Sequence, residues 1–288
     1  MKASIVLLSV FLVQLCSAQF WVAKDKKIFD PKGNEFLIRG INSANADWDS
    51  FGRYYARNSF ASIASTGANL VRVVWRSNVM NENDLKNVIE EAKKNKLVCM
   101  IELHDTTGSP DEYELEKAGK WWKDRIWNLL KYYKEYVIIN VGNEWSPWGT
   151  PYDKWCRAYK KAIEIIRSIG WEGALVIDAS AYAQNPDSIL AYGNELLNSD
   201  PKKNLIFSLH MYAEWRNEAG GRKIGDNLYN IQQKGLTVIV GEFTLHHPDG
   251  CKWIKVDVWE LMRQCKWKNV GYIGKYYNRN IYYYMNFD

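Results

Sequence analysis

Short continuous apolar runs alternate along the chain with longer stretches in which apolar residues recur at helical spacing. The runs Phe36–Asn42, Asn69–Trp75, Leu97–His104, Val137–Asn143, Ala174–Ala179, Leu205–Tyr212, Thr237–Phe243 and Val270–Tyr276 read as buried strands. Between them, Glu82–Asn95, Asp153–Ile169 and Val256–Lys266 carry apolar residues every three or four positions with charges opposite, the pattern of helices packed on one face. No Pro/Gly/Ser-rich linker, low-complexity tract or tandem repeat marks a second domain. Regular strand–helix alternation predicts a parallel sheet, and eight strands fit one closed (β/α)8 TIM barrel over residues 19–288. A doubly wound open sheet is the alternative, but it gives no reason for what stands at the strand ends.

There, polar residues interrupt the apolar pattern: Arg72 and Trp75, His104 and Asp105, Asn143 and Glu144, His210 and Tyr212, and Glu242. Burying Arg, His and Glu in a sheet is costly unless they pair with each other or with a ligand. Convergence on one barrel rim resolves that cost, and the C-terminal rim is where barrels do chemistry. Glu144 follows Val137–Gly142, and Glu242 follows Leu236–Gly241. Two carboxylates on one rim suit glycosidic bond cleavage, in which one protonates the leaving oxygen while the other attacks or stabilises the anomeric carbon. A single strand-end Glu is more often solvated or a helix cap, and a single His is more often structural. The whole set reads as a site.

Composition adds three things. Hydrophobic residues at 47% and charged ones at 25% are ordinary for a globular chain, whereas 14 Trp and 18 Tyr are many. Aromatic faces suit sugar rings, although Trp121, Trp122 and Trp127, at helical spacing, read as core or interface filler. A net charge of +5, scattered in sequence, argues against a nucleic-acid partner. Met1–Ala18 has the three parts of a secretory signal: Lys2, the apolar Ile5–Leu15, and Cys16-Ser17-Ala18. The expectation is a secreted, extracellular monomer beginning at Gln19, with no membrane association after cleavage. Cys251 and Cys265 are the preferred disulfide pair in that setting, with Cys99 equally a buried free thiol. No C-x2-C metal spacing is present.

Arg39-Gly40-Ile41-Asn42, Asn69–Val74, Glu102–Gly108, Asn140–Trp145, Phe207–Tyr212 and Ile239–Phe243 together resemble glycoside hydrolase family 5, and within it the bacterial-type endo-β-1,4-mannanases. The resemblance covers nearly all of the mature chain. Asn143-Glu144 and Gly241-Glu242-Phe243 mark the wider clan of retaining barrels, while His104–Gly108 and Asn143-Glu144-Trp145 point to mannanases. It implies Glu144 as general acid/base and Glu242 as nucleophile, with Arg72 keeping Glu242 ionised and Tyr212 orienting it. It further implies that Asn143 binds a sugar 2-hydroxyl, that His104 and His210 line subsite −1, that Trp145 and Trp148 stack on neighbouring sugars, and that His247 belongs to the site. No cofactor is implied.

Two departures stand out. Where the family has a Trp floor beneath the −1 sugar, this chain has Lys275, with Tyr276 and Tyr277 next to it, and Asp288 leaves room for only a shortened closing helix. The function expected is a secreted, retaining endo-β-1,4-mannanase acting on mannan or galactomannan. The alternatives are a β-1,4-glucanase using the same carboxylates and a weakened sugar-binding relative.

Overall fold

The computed structural model describes residues 20–46, 58–215, 223–244 and 256–275. Its first feature is one that no strand pattern announced: Val22–Lys24 (β1) and Lys27–Phe29 (β2) form an antiparallel hairpin. The turn residues Asp25 and Lys26 both take positive φ, 50° and 68°. Hairpin turns of that hand usually carry Asn-Gly or Asp-Gly, and without the glycine the signal was lost.

The eight expected strands all form: β3 (Arg39–Ala46), β4 (Leu70–Trp75), β5 (Val98–Leu103), β6 (Val137–Asn140), β7 (Leu175–Asp178), β8 (Leu205–Met211), β9 (Val238–Phe243) and β10 (Gly271–Lys275). Neighbours pair in parallel, and β10 pairs with β3 from Tyr272↔Arg39 to Lys275↔Asn42, so the barrel closes. Closure rules out the open sheet. Seven helices are present among the described residues: α1 (Phe60–Ser65), α2 (Glu82–Lys94), α3 (Glu112–Asn128), α4 (Tyr152–Arg167), α5 (Asp187–Ser199), α6 (Ile224–Gln233) and α7 (Val258–Lys268). Helix α2 starts on a reciprocal cap, in which Asn81 accepts from the Asp84 N–H and Asp84 from the Asn81 N–H. Such a cap contributes about 1 kcal/mol. Helices α3 and α4 approach closely because Gly119 faces Ala162, where a Cβ would lie 3.1 Å from the Ala162 Cα.

Apolar side chains fill two shells. The larger lies between strands and helices and includes Val71, Val73, Ile101, Ile139, Ile177 and Leu209. The smaller lies inside the barrel, where Ile38, Leu70, Met100, Ile138, Val176, Ile206, Ile239 and Ile273 meet Trp21, Ala23 and Ile28 of the hairpin. The hairpin therefore plugs the N-terminal end of the barrel and leaves the opposite rim for polar residues.

Some expectations need correction. Cys99, Cys156 and Cys265 are buried thiols, and the expected Cys251–Cys265 bridge rests on Cys251, which lies outside the described residues. Trp122 is buried as expected, but Trp127 is exposed, because the α3 surface that carries it faces solvent. The expected leader 1–18, His247, Tyr276, Tyr277 and the expected closing helix in 276–288 also lie outside the described residues. No helix among those described is long and apolar enough to cross a membrane.

Candidate active site

Strand geometry builds the site. Side chains alternate between the two faces of a strand, so the residue two positions after each inner-shell apolar residue also points into the barrel. That step turns Leu70 into Arg72, Met100 into Glu102, Ile138 into Asn140, Val176 into Asp178, Ile206 into Ser208 and Ile273 into Lys275. The result is a polar layer directly above an apolar one. In β9 the register slips between Leu209↔Val240 and His210↔Glu242, an irregularity that re-aims Glu242. Gly241 is required beside it, since a Cβ there would lie 2.2 Å from Ser208 Oγ and 3.2 Å from His210 Nε2.

Arg72 organises this layer from a fully buried position. Its Nη1 donates to Glu242 Oε1 at 2.6 Å and to Asn42 Oδ1 at 2.9 Å. Its Nε and Nη2 donate to Asn140 Oδ1 at 3.1 and 2.9 Å, and Nη2 also reaches Asn143 Oδ1 at 2.9 Å. Glu102 and Asp178, both buried, lie 3.9 Å from the guanidinium. Three buried carboxylates thus share one cation, and their field makes the guanidinium harder still to deprotonate despite its burial.

The other oxygen of Glu242 accepts from the Tyr212 hydroxyl at 2.5 Å and lies 3.5 Å from Lys275 Nζ. Burial pushes this carboxyl up, but the charges of Lys275, His210 and Arg72 and the Tyr212 hydrogen bond outweigh it and hold Glu242 well below the usual carboxylate range. It is ionised at neutral pH, as a nucleophile must be.

Glu144 sits in the turn after β6, in the left-handed region at φ 44°. That conformation is uncommon for a residue with a Cβ, and the surroundings enforce it. The Glu144 N–H donates to Asp178 Oδ2 at 3.0 Å, while its carbonyl accepts from the Gly108 N–H at 3.0 Å. Its carboxylate Oε1 meets His210 Nδ1 at 2.8 Å. The same His210 nitrogen is 3.9 Å from Glu242 Oε2, and Nε2 is 3.5 Å from Asp178. An imidazole between two glutamates allows them to approach: donor atoms of Glu144, His210 and Glu242 all lie within 4.8 Å of one another. Three such groups resemble a cation site, but Glu242 already faces Arg72 and Lys275, and two cations repel a third.

The remaining candidates separate. Asn143 is held at both ends, by Arg72 and by a 2.9 Å bond from its amide to Thr107 Oγ1, which takes one of its two amide hydrogens. His104 reaches the network through Glu102, with Nδ1 at 2.8 Å from Oε1. Trp148 is 47% exposed on the loop after Glu144 and is available to a ligand. Trp145 is not. It is fully buried, its Nε1 donates to the Asp111 carbonyl at 2.9 Å, and its ring packs edge-on against Tyr159. The positive φ at Glu144 turns its carboxylate to the rim and sends the next side chain into the outer shell. Asp105 also leaves the site, bonding the Ser77 N–H and hydroxyl instead.

Glu102, Asn140, Asp178 and Asn42 belong to the site although the strand-end pattern passed over them. Their signal was a polar residue inside an apolar run, one step of two before or beside the strand end.

His210 gives a pH prediction. Burial disfavours its charge, but Glu242, Asp178 and the bond to Glu144 outweigh this and raise its pKa above 6.5. A raised pKa contributes stability that is complete below the unfolded value near 6.5 and lost as pH rises through the folded value. Tm should therefore fall as pH increases through that window, and the fall should shrink in His210→Gln. Identical slopes in the two proteins, measured by calorimetry from pH 5.5 to 8.5, would count against a charged His210.

Comparison with known proteins agrees with this geometry. The family model described as Cellulase (glycosyl hydrolase family 5) matches residues 29–283. A mannan endo-1,4-beta-mannosidase from Salipaludibacillus agaradhaerens is 34% identical over 230 residues, covering 77% of this chain and 71% of that protein. One from Cellvibrio japonicus (strain Ueda107) is 31% identical over 265 residues, 90% of this chain and 59% of that protein. The chain thus spans 59 to 71% of the length of these two relatives. The mannohexaose complex of the Thermomonospora fusca beta-mannanase superposes with a TM-score of 0.77 at 31% identity, covering 88% of this chain and 83% of that one. A closed barrel with both rim glutamates in place, matched by the family model over most of its length, belongs to glycosyl hydrolase family 5.

Proposed function

We propose that this chain is a retaining endo-β-1,4-mannanase. The observation that carries the reading is the closeness of the two glutamates: an oxygen of each lies within 4.8 Å of the other, which suits the ~5–5.5 Å carboxyl separation that permits direct attack better than the ~6.5–9.5 Å that admits a water. In the first step Glu242 Oε2 bonds to the anomeric carbon, and the glycosidic bond breaks toward an oxygen that takes the Glu144 proton. In the second, Glu144 removes a proton from water, the water oxygen bonds to the same carbon, and Oε2 leaves as carboxylate. Two inversions give net retention.

Mannan is the favoured substrate because relatives at 31 to 34% identity over most of this chain are named mannan endo-1,4-beta-mannosidases, and one structural relative was captured with mannohexaose. A pure sugar-binding role fits poorly, since a binder has no use for an ionised Glu242 facing a second carboxyl, Glu144, held at 2.8 Å by His210. The apolar leader Met1–Ala18 supports secretion, and with it action on mannan and galactomannan outside the cell.

Reducing-sugar release from mannan, galactomannan, carboxymethylcellulose and xylan tests the substrate. Release from the mannans should exceed that from the others by tenfold or more, with the β-anomer formed first by NMR. Preference for cellulose would move the chain to the glucanase reading, and an α-anomer first would remove the retaining mechanism.

A further inference from the structure

We propose that Lys275 is a positioning residue that grips the attacking oxygen of the nucleophile and thereby makes glycosylation of the enzyme slower than its deglycosylation. The proposal rests on the retaining reading above and adds to it a residue that stands where a Trp was expected.

The geometry divides the Glu242 carboxylate into two ends. Oε1 is turned inward, held at 2.6 Å by the fully buried Arg72. Oε2 is turned toward Glu144, since His210 Nδ1 bridges the two at 2.8 and 3.9 Å. Oε2 is therefore the oxygen that meets the anomeric carbon. Lys275 lies 3.5 Å from this same oxygen, and its side chain is 31% exposed where that of Glu242 is 4% exposed. It shares Oε2 with the Tyr212 hydroxyl, and its ammonium lies 5.9 Å from the Tyr212 ring centroid. Its position is fixed by the pleat: Ile273 points into the barrel, Lys275 follows it two positions on, and the register with Asn42 locks the strand end.

A cation on Oε2 acts oppositely on the two half-reactions. In the free enzyme it stabilises the negative oxygen that must form the new bond, so attack becomes harder. In the glycosyl-enzyme Oε2 is an ester oxygen without formal charge, and the carboxylate reappears as the C1–Oε2 bond breaks. The ammonium then stabilises the leaving group. A Trp in this position would offer only a ring face and would favour neither step.

The charged and titratable groups facing Glu242 among the described residues are Arg72 from β4, His210 from β8, Tyr212 just beyond it, Lys275 from β10 and Glu144 after β6; Glu102 and Asp178 stand behind Arg72. After the opposing effect of burial, Lys275 is the first of the charges that hold the nucleophile ionised. Removing it should move the acid limb of kcat/KM to higher pH by about one unit, the low end of what an opposite charge within ~4–6 Å does.

The test uses parent, Lys275→Met and Lys275→Arg on aryl β-mannobiosides with a range of leaving groups. The parent should show no burst of aryl alcohol, with kcat tracking leaving-group pKa. Lys275→Met should show a stoichiometric burst with 2,4-dinitrophenol as leaving group, a kcat independent of the leaving group, and the raised acid limb. Lys275→Arg should behave as the parent, and Lys275→Gln replaces the Met variant if the latter does not fold. An absent burst together with an unmoved acid limb in the Met or Gln variant overturns the proposal. The retaining reading is checked separately: a 2-fluoro-mannosyl adduct on Glu242, detected by mass spectrometry in the parent, stands or fails whatever Lys275 does.

Discussion

Glu242→Gln and Glu144→Gln are each expected to lower kcat on mannan by about 10²-fold or more, the scale on which positioned acid/base groups act, while leaving Tm within a few degrees of the parent. Glutamine keeps the shape of each side chain. In Glu242→Gln the amide still offers an oxygen to the Arg72 donor now at 2.6 Å, and Glu102 and Asp178 remain 3.9 Å away as counter-charges, so no buried cation is orphaned. What is lost is the negative oxygen that attacks. In Glu144→Gln the His210 contact at 2.8 Å survives in form, but no proton can be supplied to the leaving oxygen or taken from water. The two roles are separated by azide. With an activated aryl mannoside, Glu144→Ala should be accelerated by azide and yield a β-glycosyl azide, because a small anion needs no general base. Glu242→Ala should instead yield the α-product, because azide then attacks once, in place of the nucleophile. If either Gln variant keeps more than about a tenth of the parental kcat, or if the azide products are exchanged, the assignment of roles is wrong.

The barrel was legible in the sequence because its code is redundant. Eight buried runs each announced themselves, and an error of a few residues at an end, as in β3 or β6, changes nothing about closure. The two rim glutamates were legible for a different reason: each stands at the point where an apolar run stops, and the rim of a barrel is where runs stop. Glu102, Asn140 and Asp178 were harder, because they sit inside the apolar runs, where a polar residue looks like noise until the inward-facing parity of all the neighbours is known. Parity is a property of the closed sheet and cannot be read from one strand.

Trp145 failed in the opposite direction. It follows Glu144 directly, but a left-handed turn at Glu144, stabilised by the side chain of Asp178 from the next strand, sends it into the core. Local sequence does not encode that turn, since no glycine marks it. Lys275 was legible as a departure from a resemblance, and its direction followed only from the register with β3. The β1–β2 hairpin lacked any strand-length or glycine signal, yet it closes the barrel floor on which the polar layer rests.

Arg72→Met should cost more stability than any other single change at the site. Buried ion pairs are poor stabilisers compared with apolar packing, but removing one partner alone leaves uncompensated charge, at about 3–5 kcal/mol. Here one guanidinium serves Glu242 at 2.6 Å and Glu102 and Asp178 at 3.9 Å, so its loss leaves three carboxylates in a layer that contains little else of positive sign except His210 and Lys275. It also removes five hydrogen bonds, to Asn42, Asn140, Asn143 and Glu242, whose acceptors have been positioned by strand geometry to meet a planar fork. Arg72→Lys keeps the charge but not the fork, and a compact ammonium reaches at most three acceptors. It should recover part of the stability and little of the activity, because Asn143 and Glu242 would no longer be held in register with Glu144. Protonation relieves unpaired buried carboxylates, so the deficit of Arg72→Met should be largest at neutral pH and narrow as pH falls. Urea unfolding at pH 7 and pH 5 measures both effects. A loss below about 1 kcal/mol at pH 7, well under the range for an orphaned buried charge, would mean that the carboxylates are compensated by something other than Arg72, and the picture of one cation organising the polar layer would have to be abandoned.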